Sequence, residues 1–318
     1  LGEAGRGWRL TTAEKKRILV NNIFGVDIDP QAVEVTKLSL LLKVLEDETH
    51  ETIGSQLSLL QERVLPDLGR NIQCGNSLIG PDYYEGQQLT MGGFADEEER
   101  ARVNVFDWRS AFPHVFLQGG FDAVIGNPPY IRIQGLQGTS AQDVEFYKKH
   151  YKAASKGNYD IYVVFVEKGL SLLNEKGRLG YILPHKFFNA QYGEPLRGLI
   201  AHGKHLAKVV HFGDQQVFES ATTYTCLLFL DKAGHDEFEF ERVKELSAWH
   251  SAQSFSDQNG MISAKNVTSS EWNFSIGAHA KLFDKLSQMP SRLGDFANLF
   301  VGLQTDADDV YILEEINL

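Results

Sequence analysis

Residues 127–130 read Asn-Pro-Pro-Tyr and close an apolar stretch, Phe121 to Ile125, that ends at Gly126. A run of this kind driving into Gly and two prolines reads as a buried strand that stops in a rigid loop. The prolines fix φ and remove two backbone donors. What remains is rich in acceptors: the Asn127 side-chain oxygen and the Pro128 carbonyl. Tyr130 sets a flat ring beside them. Two acceptors and a stacking face suit a planar substrate that carries an NH2 group, such as adenine. Accepting both amino hydrogens pulls the nitrogen toward tetrahedral geometry and makes its lone pair nucleophilic. The competing reading is a proline-rich turn with a Tyr capping the core, and the context of the motif decides between them.

That context is an ordered set of strand ends. Gly25-Val26-Asp27-Ile28-Asp29-Pro30 closes a strand on an acid. In an open α/β sheet, ligands bind at the carboxyl ends of the strands. A carboxylate there can accept both hydroxyls of a ribose. Asp27 is assigned that role, because Asp29 is better used as a helix N-cap ahead of Pro30. Gly75-Asn76-Ser77-Leu78 follows the next strand, and Asn76 could meet the ring of a nucleoside cofactor. Residues 178–188, RLGYILPHKFF, form a strand, a Pro turn and a Lys-aromatic loop. Gln216-Val217-Phe218-Glu219 precedes the apolar run TYTCLLFL. Phe218 is placed to stack on a base opposite Tyr130; an ordinary core Phe is the alternative.

The elements that position these residues alternate strand and helix, which argues an α/β fold with a largely parallel sheet. Strands are expected at 22–27, 71–75, 121–126, 178–183, 207–212 and 223–230. A helix starts at Pro30, with Val33, Leu40, Leu41, Val44 and Leu45 at helical spacing. Another spans about 160–175, with Tyr162, Phe165, Val166, Gly169, Leu170 and Leu173 inward and Gly177 as its stop. Residues 80–105 read as a Gly-rich, acidic surface insertion, and 134–158 as a long loop or short helices. The domains expected are 1–232, catalytic; 233–290, a connector with a hairpin and a helix near 277–289; and 291–318, the start of a further domain.

Charge narrows the partners. The net charge of −11 argues against the whole surface binding nucleic acid. Locally, residues 146–159 hold Lys148, Lys149, Lys152 and Lys156, no acid, and three interleaved tyrosines. Phosphate contacts need such lysines, so they are expected on the same side of the sheet as Asn127. An exposed helix with chance lysines is the alternative. No apolar run approaches the ~20 residues of a membrane span. Cys74 and Cys226 lie in or beside apolar runs and read as core thiols, not as a disulfide or metal pair. A cytoplasmic protein is the expectation, with no metal.

Taken together, Asn127-Pro128-Pro129-Tyr130, GVDIDP and the VFES…YTCLLFL segment resemble the large DNA adenine-N6 methyltransferases of restriction-modification and phage-exclusion systems, above all the type IIG group. The resemblance runs from about residue 18 to 313. It implies a Rossmann-like sheet, mostly parallel with an antiparallel last strand, and S-adenosylmethionine as methyl donor. It implies a catalytic loop of Asn127, Pro128, Pro129 and Tyr130, base stacking by Tyr130 and Phe218, and a cofactor cleft of Asp27, Ile28, Asn76, Ser77 and Asn127. The family usually has Asp where this chain has Asn76. The partner implied is double-stranded DNA with a flipped adenine, with Arg132 and Lys186 joining the four lysines as phosphate candidates. Residues 300–313 resemble the entry into a target-recognition domain. That domain and a nuclease are further parts a parent polypeptide could carry.

One piece of the resemblance is missing. The family's Gly-rich cofactor loop belongs upstream of GVDIDP, at the end of a first strand. Residues 1–20 hold Gly2, Gly5 and Gly7 but no apolar strand running into a Gly turn. The expectation is therefore a fragment whose sheet is incomplete at its first strand, with a gap between the strands at 22–27 and 121–126. Such a chain is expected to be inactive alone and to bind S-adenosylmethionine weakly or not at all. A protein-glutamine or RNA adenine N-methyltransferase uses the same loop chemistry and stays as an alternative. So does a non-catalytic DNA-binding or specificity subunit. A 5-methylcytosine enzyme is disfavoured, since neither cysteine follows a proline.

Overall fold

A computed structural model describes residues 2–4, 7–46, 66–85, 97–137, 140–218, 224–250 and 259–274, with scattered positions from 276 to 298. The expected helix near 277–289 and the segment 300–313 fall largely or wholly outside the described residues. The chain divides into two compact units, Leu1–Asn273 and Phe274–Leu318. The site lies in the first.

The first unit is built on a six-stranded sheet. Its strands are β5 (Phe121–Gly126), β6 (Leu173–Pro184), β7 (Leu206–His211), β8 (Thr225–Asp231), β9 (Glu237–Arg242) and β10 (Asn259–Ser263). Their order is β10-β9-β7-β8-β6-β5. β5 and β6 run parallel, as do β7 and β9, while β8 runs antiparallel to both β6 and β7. The carboxyl ends of β5, β6, β7 and β9 therefore share one rim. The antiparallel β8 sits where the sequence places it. Its apolar run Cys226–Leu230 has the composition of an interior strand, and Cys226, Leu228 and Leu230 are fully buried.

The helix Tyr162–Leu172 lies close against this sheet. A Cβ on Gly169 would stand 2.5 Å from Leu179 and 2.7 Å from the Tyr181 hydroxyl, so helix and strand touch there. The helix ends at Leu172, not at Gly177. Leu173 already pairs with Phe121, and the register then shifts before Arg178 pairs with Ala123. Gly177 lies in the bulge this creates, where a Cβ would meet the Phe121 carbonyl at 2.6 Å. Bulges of this kind bend a strand and disrupt its ladder locally.

The sheet is interrupted. β3 (Gly25–Asp27) and β4 (Ile72–Cys74) pair in parallel as a separate two-stranded sheet. No described strand bridges β3 to β5. An aromatic cluster ties the two sheets at the start of their strands: the Phe24 ring lies 5.3 Å from Phe112 and 6.0 Å from Phe121, and Phe112 is fully buried. Farther along, β5 is open. Ile125 is 85% exposed, so the strand expected to be buried is an edge strand, with Ala123 and Ile125 in solvent and Phe121 and Val124 half-buried. The reason is pairing on one side alone among the described residues.

Other expectations shift. Residues 2–22 hold a hairpin, β1 (Gly2–Ala4) with β2 (Gly7–Arg9), and then a helix, Thr12–Asn22, where no strand was expected. That helix leaves only 25–27 of the expected strand at 22–27. The segment 80–105 is not simply a surface insertion: Tyr83 and Val103 are buried, and Arg102 pairs with Asp143 at 2.9 Å. The boundary drawn at 232 also falls inside the sheet, because β9 and β10, read as part of a connector, extend it. Among the described residues no helix is long and apolar enough to cross a membrane, and no group of His, Cys, Asp or Glu could hold a metal.

Candidate active site

The Asn127–Tyr130 loop leaves β5 at the shared rim. Pro128 is buried and Asn127 is exposed, with no hydrogen bond to any described residue. Tyr130 is anchored at both ends. Its hydroxyl donates to the Ile182 carbonyl of β6 at 3.3 Å, and its ring meets the edge of Tyr162 at 6.5 Å. Burial pushes its hydroxyl up to about 12, so the phenol stays protonated near neutrality and keeps that bond.

The chain beyond the loop is clamped as well. Ile161 N–H donates to the Ile131 carbonyl and Ile133 N–H to the Tyr159 carbonyl, both at 2.9 Å. Behind this bridge lies a buried chain of groups. The Tyr162 and Tyr192 hydroxyls are 2.8 Å apart, and Tyr192 donates to Asp160 at 3.0 Å. Asp160, Tyr162 and Tyr192 support Tyr130 and escaped the sequence reading. The available signal was an acid at the very start of an apolar helix.

Asp27 ends β3, exposed. One of its oxygens accepts the Asp29 N–H at 2.9 Å, and Asp29 in turn caps the next helix through the Gln31 N–H at 2.8 Å. The division of labour read from sequence holds for Asp29. The second Asp27 oxygen has no partner among the described residues, and Ile28 beside it is exposed. Asn76 is less open: its oxygen accepts the Leu78 N–H at 3.1 Å. The Ser77 carbonyl accepts from Trp108 at 3.0 Å. A nucleoside cofactor's ribose suits the Asp27 carboxylate. Its methionine carboxylate finds no comparable cradle in the described residues. The helix Thr12–Asn22 is already capped by Thr11, and Glu14 puts a negative charge in its first turn.

The lysine window looks different in space. The tyrosines interleaved in it point inward: Tyr147, Tyr151 and Tyr159 are all buried. The helix Ala141–His150 packs on the segment after β4, with Tyr83 donating to Asp143 at 2.7 Å and Tyr151 to the Leu78 carbonyl at 2.5 Å. Acids from outside the window meet the lysines. Lys148 pairs with Glu145 at 3.2 Å, and Lys156 pairs with Glu194. Glu167 accepts the backbone N–H groups of Lys152 and Ala153. Lys149 is exposed beside a shallow groove of about 500 Å³ that also holds Asp82 and Glu85. Arg132 and Lys186 are exposed, and Phe218 is half-buried in the loop after β7.

The family model of the Eco57I restriction-modification methylase matches residues 21–218. The chain belongs to this family. The match includes Asp27, Asn76, Asn127 and Phe218. The type II restriction enzyme and methyltransferase RM.Eco57I of Escherichia coli is 35% identical over 312 residues, which is 97% of this chain and 29% of that protein. The adenine-specific methyltransferase PglX of Streptomyces coelicolor is 23% identical over 209 residues, 62% of this chain and 16% of that one. This Eco57I-type chain thus spans under a third of either relative's length. Among solved structures, a cryo-EM complex of DrdV with DNA shares 14% identity over 74% of this chain and 22% of its own, with a TM-score of 0.47.

Proposed function

We propose that this chain carries the catalytic residues of an S-adenosylmethionine-dependent DNA methyltransferase. It would modify the N6 amino group of adenine in a restriction-modification or phage-defence system. One observation carries the reading. Asn127 stands exposed at the end of β5, beside a Tyr130 ring held by Ile182 and Tyr162. The Asn127 oxygen and the Pro128 carbonyl accept the two amino hydrogens of a flipped adenine. Tyr130 and Phe218 hold the base between them, because a base must leave the duplex to be modified. When bound, S-adenosylmethionine supplies an electrophilic methyl group. Asn127 and the Pro128 carbonyl would orient the amino lone pair toward that methyl; the N–C bond would form as the methyl–sulfur bond breaks, and the amino proton would pass to water, because neither neutral carbonyl is basic enough to take it. No covalent enzyme intermediate is needed, and catalysis rests on positioning and fixed dipoles. The test is transfer of labelled methyl by the longer parent polypeptide. Label recovered as N6-methyladenine from DNA supports the reading. Label found only in RNA or in protein glutamine overturns it.

Phe218→Ala should impair base flipping more than DNA binding. Stacking on one base contributes about 1–3 kcal/mol, whereas phosphate contacts dominate affinity. A 2-aminopurine at the target position brightens when it is extruded. An unchanged signal in the variant would make Phe218 a core residue.

For this chain alone, S-adenosylmethionine binding should be weak. Asp27 can hold the ribose, but the anionic end of the cofactor needs backbone amides at an uncompensated helix N-terminus. Among the described residues β5 pairs only with β6, which leaves its other edge without a wall to the cleft. Calorimetric titration measures this directly, and micromolar affinity would show that other residues replace the missing cradle.

A further inference from the structure

A cluster of rings and cations, of which only Lys186 was expected to meet a phosphate, lies on the same rim as Asn127. His185 follows β6, His211 ends β7, and Tyr224 precedes β8. The His185 and His211 rings are 4.2 Å apart, and Tyr224 lies nearly parallel to His185, 12° between planes at 6.4 Å. One residue, Gly213, bonds both imidazoles. The Gly213 N–H donates to His211 Nδ1 at 3.0 Å, and His185 Nε2 donates to the Gly213 carbonyl at 3.3 Å. Burial, together with nearby Arg242, lowers both histidines, His211 to about 4, so the pair is neutral near pH 7. The charge of the cluster therefore comes from its edges.

Lys186 follows His185, and Arg242 pairs in register with His211 at the end of β9. Both are exposed, and neither has an ion pair among the described residues. Lys148 and Lys156 differ, since Glu145 and Glu194 already answer their charge. A cation paired with a carboxylate gives up that pair to meet a phosphate; one without a partner gives up only water. Tyr224 is 51% exposed at the outer end of the ring stack. The cluster adjoins the catalytic loop: Tyr130 bonds the Ile182 carbonyl, three residues before His185, and His185 N–H bonds the Tyr224 carbonyl at 3.3 Å. Phe218 lies in the loop that joins His211 to Tyr224.

We infer that Lys186, Arg242 and Tyr224 form the DNA-strand contact beside the extruded base, with the two cations on backbone phosphates and Tyr224 stacked on a neighbouring base. This rests on the proposed DNA methyltransferase reading and moves the main phosphate contact away from the lysine window at 146–159. Aromatic faces interleaved with cations are the usual platform for an unpaired strand.

The experiment measures binding of the full chain to a fluorescein-labelled duplex with one mismatched adenine, across a salt series. The phosphate contribution is independent of sequence, so no recognition site is needed. The double variant Lys186→Gln/Arg242→Gln should flatten the slope of log K against log salt by up to about 1.8, or ~0.9 for each phosphate lost. Lys148→Gln/Lys156→Gln should flatten it by less than half as much. Tyr224→Ala should weaken binding about tenfold, and Tyr224→Phe, which keeps the ring, should restore it. An equal or larger effect of the 148/156 pair overturns the inference, as does a rim pair with an unchanged slope. A wild-type chain that binds no DNA at low salt overturns the methyltransferase reading along with it.

Discussion

Asn127→Ala is expected to lower methyl transfer by the parent enzyme about 100-fold or more while leaving the fold intact. The size follows from the proposed role, in which the Asn127 oxygen is one of two acceptors for the amino group and its contact strengthens as the nitrogen becomes tetrahedral. The intact fold follows from the environment. Asn127 is exposed and bonds no described residue, so truncation opens no cavity and orphans no buried group. Turnover under saturating substrate and a urea unfolding curve of the same variant separate the two statements. Near wild-type turnover would remove the loop from the chemistry. A large loss of stability would mean that Asn127 is a structural residue.

Arg197→Met is expected to destabilise this chain by about 1–3 kcal/mol, the cost of leaving the buried Phe187 carbonyl without a donor. Arg197 is buried in the helix Glu194–His202, and its guanidinium donates to the carbonyls of Phe187 at 2.5 Å, Ala190 at 2.8 Å and Ser269 at 2.9 Å. Met keeps the apolar stem and removes all the donors. The three carbonyls belong to the turn after β6 and to a segment near residue 269, so the arginine pins the backbone that carries His185 and Lys186. Chemical denaturation reads the effect as a lower midpoint at constant slope. A change under 1 kcal/mol would mean that water serves those carbonyls instead.

Local signals in the sequence were legible wherever the physics is local. Asp29 and Pro30 placed the start of a helix, and the structure begins it at Pro30 with the Asp29 cap formed. Cys226 to Leu230 is apolar at every position, and it became the interior antiparallel strand β8. The strand that leads into Asn127-Pro128-Pro129-Tyr130 was equally clear, because Gly and Pro punctuate a chain regardless of what surrounds it. By contrast, the ends of the helix at 162–172 went astray. A glycine that looks like a helix stop is, in space, the residue that lets a bulge pass the Phe121 carbonyl.

By itself, then, the sequence determined the α/β class, the rigid Asn-Pro-Pro-Tyr loop at a strand end, the acid that caps a helix and the acid left over at a strand end. Each depends on residues within a few positions of one another. The tertiary structure alone decided which charges and faces are available. Four lysines in a window without acids looked like a basic face, but Glu145 on the same helix pairs with Lys148 and Glu194, from a distant helix, pairs with Lys156. The tyrosines interleaved with those lysines, Tyr147, Tyr151 and Tyr159, went into the core. Lys186, Tyr224 and Arg242, far apart in the chain, came together on one rim with no carboxylate to answer them among the described residues. Burial and charge compensation are set by whatever packs alongside, and that neighbour is usually tens of residues away.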